Sequence, residues 1–329
     1  MYATGNKKML NMLILEILRK YSDEEHALTQ QDIIKLLEKN YGMDCDRRSV
    51  KNNIMSLKEM GYEISMEKGY RLIEREFDES ELRILIDSVL FSKSISTKQA
   101  KGLIDKIRNL ASNYFNAKVS HVSNLPELNR TVNKQAMYSL DAINDAISAK
   151  KKIEFTYNEV GTDFKLHPKR EDPYKVNPYQ IVANNGRFYL IANYDKYDNV
   201  AHFRIDKMTD VRILDERIKP MSQVPELEKG LNLPKHMAEH LYMFSGESVS
   251  AEIKASPDMM SELVDWFGID FSMVKKSDEF IIVRVRCNAE ALRFWALQYG
   301  PYAEIIKPES LREQLQKDIS IMAENYRKK

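Results

Sequence analysis

The chain has 329 residues, of which 43% are hydrophobic and 30% are charged, and its formal net charge is +1. This composition is typical of a soluble protein with buried cores, and the length suggests two or three domains. No apolar run approaches the roughly 20 residues that a membrane-spanning helix needs. The near-neutral charge argues against a general nucleic-acid coat, so any binding of nucleic acid must depend on local basic patches.

The N-terminal stretch and the cysteines indicate a cytoplasmic protein. The apolar stretch near the N-terminus is interrupted by Glu16, and no small-residue cleavage site follows it. We therefore predict a helix and not a signal peptide. The two cysteines, Cys45 and Cys287, match no metal-ligand or redox spacing. A reduced, cytoplasmic setting without membrane association fits these features.

Three short helices and a hairpin are predicted in the first 75 residues. Residues 8–20 carry apolar side chains at helical spacing, and a second helix begins within LTQQDIIKLLEKN. A third helix follows Asp46 as its N-cap, and Val50, Ile54 and Leu57 share its inward face. The stretch YEISMEKGYRLI then predicts two short strands around a turn.

A basic and polar face remains on the outside of the third helix. Such a helix fits the major groove, where arginine pairs with guanine, asparagine with adenine, and lysine or serine with phosphates. The predicted DNA contacts, one of them in the hairpin turn, are Arg47, Arg48, Ser49, Lys51, Asn52 and Lys68. The alternative is that this face is only solvated. The stretch DRRSVKNNIMSLKEMGYEISMEKGYRL resembles the DNA-binding domain of DeoR-like bacterial regulators, which implies a winged helix-turn-helix.

A helical connector is predicted next. FDESELRILIDSVLFSKSISTKQAKGLIDKIRNLAS indicates two amphipathic helices, the second starting after Ser96 and Thr97. Residues 113–133 are less patterned and are expected to be loop, and NKQAMYSLDAINDAISAKK predicts another helix. These helices are candidates for a dimer interface or a relay between domains; the alternative is plain packing within one chain.

The middle of the chain changes from helical periodicity to about five short strands with turns between them, which predicts a small closed or nearly closed barrel. In the stretch AHFRID, alternation places Phe203 and Ile205 on one face and His202, Arg204 and Asp206 on the other. The first face fits a core, and the second is a candidate binding wall.

The same region resembles the WYL domain. The family's Trp-Tyr-Leu triplet appears here as Phe188–Leu190, an upstream element as Pro178 and Tyr179, and a further element as Phe203–Met208. This resemblance implies an Sm-like, SH3-type β-barrel whose polar wall binds a regulatory ligand, in some members nucleic acid or a nucleotide-like anion.

Aromatic and arginine side chains alternate along the two strands that carry this resemblance. Arginines beside an aromatic ring suit phosphate contacts and base stacking. The predicted ligand-binding residues are Tyr179, Arg187, Tyr189, His202, Arg204 and Asp206. The alternative is that Arg204 and Asp206 form a structural ion pair and that His202 is an ordinary surface residue.

The last segment predicts a strand, a helix, a strand, a helix, a short strand and a final helix. FWALQYGPYAEIIKPESLREQL resembles the C-terminal extension that follows WYL domains, with Trp295, Gly300, Pro308 and Leu311 at the family's positions. We expect Trp295 to lie in the core.

Enzyme signatures are weak. HMAEH at residues 236–240 has the H-x-x-E-H form of inverted zinc peptidases, in which His236 and His240 would bind zinc and Glu239 would be the base. It lies in what the pattern predicts to be a connector, and neither a glycine-rich phosphate loop nor a G-x-S-x-G elbow occurs. We therefore expect no catalytic residue, no metal site and no cofactor, with a zinc hydrolase as the remaining enzyme hypothesis.

Together these patterns predict an α+β multidomain protein. The expected domains are a winged helix-turn-helix (1–75), a helical connector (76–150), a WYL sensor domain with an Sm/SH3-like β-barrel (151–220) and a C-terminal α+β module (221–329). The leading hypothesis is a homodimeric transcriptional regulator that binds double-stranded DNA and responds to a small anionic, nucleotide-like or single-stranded nucleic-acid effector. The alternative is an RNA- or single-strand-binding accessory protein that docks on a partner through its winged domain.

Overall fold

The computed structural model describes residues 9–118, 131 and 133–327 of the chain. The chain divides into two compact units, Met1–Arg130 and Thr131–Lys329. Both units contain helices and antiparallel strands, so the fold is mixed α/β with several domains. Among the described residues, no helix is both long enough and apolar enough to cross a membrane.

The first unit begins with the three helices and the hairpin that the sequence predicts. These elements are α1 (Leu10–Tyr21), α2 (Gln30–Tyr41), α3 (Arg47–Glu59), β1 (Ile64–Ser65) and β2 (Arg71–Leu72). Asp46 caps α3, since its carboxylate accepts a hydrogen bond from the Ser49 backbone N–H at 2.7 Å. Helix α2 begins with a capping box, in which Thr29 and Asp32 each bind the other's backbone N–H.

The apolar faces of these helices form one core, to which the hairpin is attached. Val50 and Ile54 of α3 are fully buried in it, as predicted. The hairpin is held by backbone pairing between Leu28 and Tyr70. Its turn needs Gly69, whose φ of +127° is rarely adopted by L side chains and whose added Cβ would lie 3.0 Å from the Leu28 carbonyl oxygen.

The first unit continues with three further helices, α4 (Glu79–Phe91), α5 (Thr97–Arg108) and α6 (Asn113–Lys118), which lie in the predicted connector. Helix α5 begins after Ser96 as predicted, because the Ser96 hydroxyl accepts the Gln99 backbone N–H while the Gln99 side chain binds the Ser96 backbone. The loop expected at residues 113–133 is partly wrong, since α6 occupies its start. Residues 119–130 and 132 of that stretch lie outside the described residues.

The second unit opens with a helix and a curled antiparallel sheet. Its elements are α7 (Ala136–Ala149), β3 (Lys151–Val160), β4 (Leu166–Pro168), β5 (Tyr174–Asn184), β6 (Arg187–Asn193), β7 (Val200–Arg204), a 3-10 helix (Ile205–Lys207) and β8 (Met208–Arg217). The order in the sheet is β4-β3-β5-β6-β7, and β8 also pairs with β3. Ile153 faces Val176 of β5 on one edge of β3 and Ile213 of β8 on the other, which places β3 between β5 and β8.

The core of this sheet has the composition that the alternation predicts. Leu190, Phe203 and Ile205 are buried in it, and Ile143 of α7 packs against the same cluster. The strand predicted over AHFRID is too long, because β7 ends at Arg204 and Asp206 lies in the 3-10 helix.

A buried amide binds the backbone where this strand ends. The Asn133 side-chain amide donates to the carbonyl oxygens of Asp206 at 3.2 Å and Met208 at 2.7 Å. It thereby gives a partner to the Asp206 carbonyl, which lies outside the strands.

The rest of the second unit is an α+β module. Its elements are α8 (Leu233–Glu239), β9 (Ser248–Ala255), α9 (Met260–Phe267), β10 (Ser272–Lys276), β11 (Ile281–Asn288), α10 (Ala289–Gln298), β12 (Ala303–Lys307) and α11 (Glu309–Arg327). The antiparallel order is β10-β11-β9-β12. Strand β10 was missed in the sequence because all five of its residues are exposed and show no apolar alternation. Trp295 is fully buried, as expected. The boundaries of the four domains predicted from the sequence stay predictions.

Candidate functional site

Helix α3 presents a stripe of exposed side chains on the face opposite its core contacts. Arg48, Lys51, Asn52 and Met55 are all exposed at spacings of three and four residues, which align on one side of a helix. Two cations and one amide therefore lie in a row. The opposite face of α3 is buried in the core and holds the helix in place.

The other three predicted DNA contacts differ in their settings. The Arg47 guanidinium donates to the Gln31 side-chain oxygen at 3.3 Å, which directs Arg47 toward α2. Ser49 is half-buried. Lys68 is exposed at the turn between β1 and β2, where its φ is +55°.

In the second unit, one carboxylate binds two guanidinium groups. Asp206 Oδ2 accepts from Arg187 Nη1 at 2.6 Å and from Arg204 Nη2 at 2.7 Å, and Asp206 Oδ1 accepts from Arg204 Nε at 3.1 Å. Asp206 is only 4% exposed, whereas the arginine side chains are 19% and 29% exposed. Among the described side chains, the two guanidinium groups share this one carboxylate, and the arginines form the more exposed side of the cluster.

The pKa values of the two arginines shift in opposite directions beside this shared carboxylate. Burial lowers the pKa of Arg187, although the Asp206 charge opposes that shift. Burial also acts against Arg204, but its hydrogen bonds to Asp206 outweigh the burial and raise the pKa of Arg204. Arg204 makes two hydrogen bonds to the carboxylate, whereas Arg187 makes one. Asp206 is thus bound more extensively by Arg204 than by Arg187.

Aromatic side chains lie next to this arginine pair. Tyr189 is directly opposite Arg204 in the pairing of β6 with β7. The Tyr157 hydroxyl accepts a hydrogen bond from the Arg204 backbone N–H at 3.2 Å, and burial raises the pKa of Tyr157 to about 12. Lys207 is a further cation nearby, whose pKa is lowered by burial and by the Arg204 charge. Tyr157 and Lys207 were missed in the sequence because no periodic pattern relates them to β7.

Tyr179 lies on the same sheet but in a different environment. Its side chain is 3% exposed, and its hydroxyl donates to the Lys219 carbonyl oxygen at 2.7 Å. It packs in an apolar cluster with Val182 and Ile191, against which Tyr189 also packs. Burial raises the pKa of Tyr179 to about 12.

His202 has the outward orientation that alternation predicts, but it contacts other histidines. Its Nε2 lies 2.8 Å from Nε2 of His236, and its ring centroid lies 4.8 Å from that of His240. Burial lowers the pKa of His202 to about 2, with further repulsion from His240 and His236. Burial also lowers the pKa of His236 to about 4. Both imidazoles are therefore held in their neutral form.

Two family matches cover the second unit. Residues 139–213, from α7 into β8, match the WYL domain, and residues 247–323, from just before β9 into α11, match the WCX domain. The chain therefore contains a WYL domain followed by a WCX domain.

The relatives of this WYL-domain protein are distant. The chain is 22% identical over 187 residues to the uncharacterized HTH-type transcriptional regulator YobV of Bacillus subtilis (strain 168), a match that spans 56% of this chain and 55% of the relative. The chain therefore spans about half the length of this curated relative.

Two solved structures are similar at low identity. The proteasome accessory factor B/C (PafBC) of Arthrobacter aurescens gives a TM-score of 0.32 at 14% identity, over 94% of this chain and 47% of the other. A CRISPR Cas-related protein gives a TM-score of 0.39 at 14% identity, over 77% of this chain and 75% of the other.

The segment that follows the WYL domain places polar side chains next to the WYL sheet, and the sequence did not predict this. His236 and His240 are 7% and 2% exposed, and His240 Nε2 lies 2.9 Å from Glu226 Oε1. The HMAEH motif was the only signal for the two histidines, and nothing in the sequence related them to His202 or Glu226.

Glu239 of the same motif points elsewhere. Its Oε1 lies 3.5 Å from Arg286 Nε and 3.9 Å from Lys235 Nζ. The carboxylate that an H-x-x-E-H peptidase would use as a base is therefore paired with cations of another surface, which argues against the zinc-hydrolase hypothesis.

Proposed function

We propose that this chain is a transcriptional regulator that binds double-stranded DNA through a winged helix-turn-helix and senses an anionic ligand with its WYL domain. The observation that carries the DNA-binding part is the exposed stripe of Arg48, Lys51 and Asn52 on α3. A three-helix core with a hairpin has the element order of a winged domain, and the similarity to an HTH-type regulator supports this assignment.

The chemistry of the stripe suits a DNA groove. Arg48 can donate two hydrogen bonds to guanine, Asn52 can pair with adenine, and Lys51 can neutralise a phosphate. Asp46 caps the N-terminus of α3 with one backbone hydrogen bond, which fixes the orientation from which these side chains project. Lys68 in the hairpin turn supplies a further cation for the DNA backbone.

The test is a binding measurement with the full chain. An operator is first selected from random duplexes, and affinity is then measured by fluorescence anisotropy. Lys51→Ala should reduce the salt slope by about 1, whereas Arg48→Ala should cost about 1–3 kcal/mol and relax specificity at one base pair.

Lys58→Ala is the matched control, since Lys58 is exposed on the same helix but in its last turn. A folded Arg47/Arg48/Lys51/Asn52 alanine variant with wild-type affinity would refute the DNA-binding assignment. Tight binding to single strands or RNA, with no preference for any duplex, would favour the accessory-protein alternative.

The ligand-sensing part depends on the arginine pair. Arg204 uses Nε and Nη2 on Asp206, and its Nη1 has no hydrogen-bond partner among the described residues. Planar guanidinium groups favour phosphate contacts, and Nη1 of Arg204 can make one. Tyr189 directly opposite Arg204 offers a ring for base stacking. This sheet is proposed to be the Sm/SH3-like barrel, and the sensor site comprises Arg187, Tyr189, Arg204 and Asp206, with Tyr179 and His202 at its border.

The sensor is tested by following operator occupancy while inorganic phosphate, a mononucleotide or a short single-stranded oligonucleotide is added. Arg204→Ala should abolish the response and leave affinity for the operator close to normal. Arg212→Ala is the control, because this β8 side chain is 75% exposed. An unchanged response in Arg204→Ala would mean that the arginine pair is only structural.

The regulator is proposed to act as a homodimer. A single small winged domain makes few phosphate contacts, and specific affinities near 10⁻⁸ M or better are commonly reached with two half-sites spaced by about one helical turn or a multiple of it. Light scattering should give twice the 38.4 kDa mass of one chain. A monomer that protects a single half-site would contradict this.

A further inference from the structure

Three imidazole rings meet beside the WYL sheet. His202 comes from β7, His236 from α8, and His240 from the residue that ends α8. One ring nitrogen of each lies within 4.8 Å of the other two. Within the described part of the chain, no other group of three or more His, Cys, Asp or Glu side chains meets this geometry.

The outer nitrogens of two of these rings have partners that orient them. His240 Nδ1 lies 3.0 Å from the Phe244 carbonyl oxygen, which can only accept a hydrogen bond, so Nδ1 carries the hydrogen. His202 Nδ1 lies 3.3 Å from the Ser245 hydroxyl. The carbonyl fixes the tautomer of His240, as the outer partners of metal-binding histidines do. The Ser245 hydroxyl, which can donate or accept, holds the orientation of the His202 ring without fixing its tautomer.

Glu226 places a carboxylate beside the three rings. Its Oε1 lies 2.9 Å from His240 Nε2, and its Oε2 accepts a hydrogen bond from the Val200 backbone N–H at 2.9 Å. Imidazole nitrogens and carboxylate oxygens are both ligands of divalent transition-metal ions.

We propose that His202, His236 and His240 bind one divalent transition-metal ion, with Glu226 as the fourth ligand. Imidazole nitrogens suit Zn²⁺ and related ions, whereas Mg²⁺ and Ca²⁺ prefer oxygen ligands. Three histidines and one carboxylate complete the tetrahedral set of Zn²⁺ without an open position, which favours a structural site.

Metal binding requires the rings to shift, because their ligand nitrogens are spread over up to 4.8 Å. Nitrogens that each lie about 2.0–2.1 Å from a tetrahedral zinc ion are roughly 3.3 Å apart. His202 Nε2 and His236 Nε2 are 2.8 Å apart, a distance at which one of them donates a hydrogen bond to the other. To bind the metal through both Nε2 atoms, the ring that carries this hydrogen would hold it on Nδ1 instead, and the two rings would separate slightly.

The ion would join the sheet to the segment that follows it. His202 lies within the WYL match, which ends at residue 213. The other three side chains lie between this match and the WCX match, which starts at residue 247; they are Glu226, His236 and His240. His202 also precedes Arg204 by two residues on the same face of β7. Metal binding would therefore fix β7 at the border of the proposed sensor site, although the metal site does not depend on that proposal.

The test uses the untagged full chain after treatment with a chelator. Added Zn²⁺ should remain bound at one ion per chain after dialysis, and Co²⁺ should give the visible absorption bands of a tetrahedral site, which Zn²⁺ then removes. The double variant His202→Gln/His236→Gln should lose at least about 10-fold in affinity for Co²⁺, because even outer-shell changes cost that much. Zn²⁺ should raise the unfolding midpoint of the wild type and not that of the double variant.

His167→Gln is the matched control, since His167 lies on β4 of the same sheet and its side chain is 56% exposed. It should bind Co²⁺ as the wild type does. Equal binding by the control and the double variant would indicate adventitious surface binding and overturn the proposal. A wild-type chain that gives no tetrahedral Co²⁺ spectrum overturns it as well, whether or not the variants fold.

Discussion

Replacing Asp206 by asparagine should destabilise the second unit, because it removes the only carboxylate that binds Arg187 and Arg204 among the described residues. Removing one partner of a buried ion pair costs about 3–5 kcal/mol. The arginine side chains remain 19% and 29% exposed, so water compensates in part, and we expect a loss of about 2–4 kcal/mol. For a unit of this size, each kcal/mol lowers the midpoint by about 2–4 °C, which gives roughly 5–15 °C.

The assay is urea and thermal unfolding of the full chain, followed by tryptophan fluorescence. Both tryptophans, Trp266 and Trp295, lie in the second unit, so the signal reports on that unit alone. The control is Asp198→Asn, since Asp198 is 85% exposed and lies 3.8 Å from Lys219, and its loss should stay within about 0.5 kcal/mol.

Two further results would decide the physical cause. In an Arg204→Ala background, the loss caused by Asp206→Asn should shrink, because one of the two cations that bind Asp206 is already absent. Phosphate should stabilise Asp206→Asn more than the wild type. A single variant Asp206→Asn within about 0.5 kcal/mol of the wild type would refute the reasoning, since it would mean that water already solvates both guanidinium groups.

The remaining predictions concern stability in both units. Asp46→Ala should cost about 1 kcal/mol by removing the cap that accepts the Ser49 N–H, and hydrogen exchange in α3 should accelerate. Gly69→Ala should cost more than about 1 kcal/mol, because the residue has a φ of +127° and would press on the Leu28 carbonyl; an unchanged unfolding midpoint would contradict this. Trp295→Ala should lower the free energy of unfolding, measured in urea, by about 3–5 kcal/mol. Trp295→Phe should cost clearly less, since the buried indole N–H has no hydrogen-bond partner among the described groups.

Several features followed from local sequence patterns. The caps at Asp46 and Ser96 predicted the starts of two helices correctly. Each cap side chain accepts a hydrogen bond from the backbone N–H three residues later, so the signal is local in sequence. The inward positions of Phe203 and Ile205 followed from alternation, since one face of the sheet must be buried. Where the apolar pattern was absent, as in the exposed strand β10, the prediction failed.

The candidate sites were only partly visible in the sequence. Alternation correctly placed Arg204 and His202 on one face, but it could not show that Asp206 lies in a 3-10 turn from which it binds both arginines. Tyr179 belongs to the same sheet, yet its side chain is covered by an apolar cluster that includes residues from the later segment.

The sequence by itself determined most of the helices and strands and the face of each that is buried, because those properties depend on neighbours within about one turn or one strand. Tertiary structure alone decided which polar groups meet. His202 and His236 are 34 residues apart, yet their nitrogens lie 2.8 Å apart. That approach depends on how the segment after the sheet folds back over β7, and no local periodicity encodes the path of a chain between distant elements.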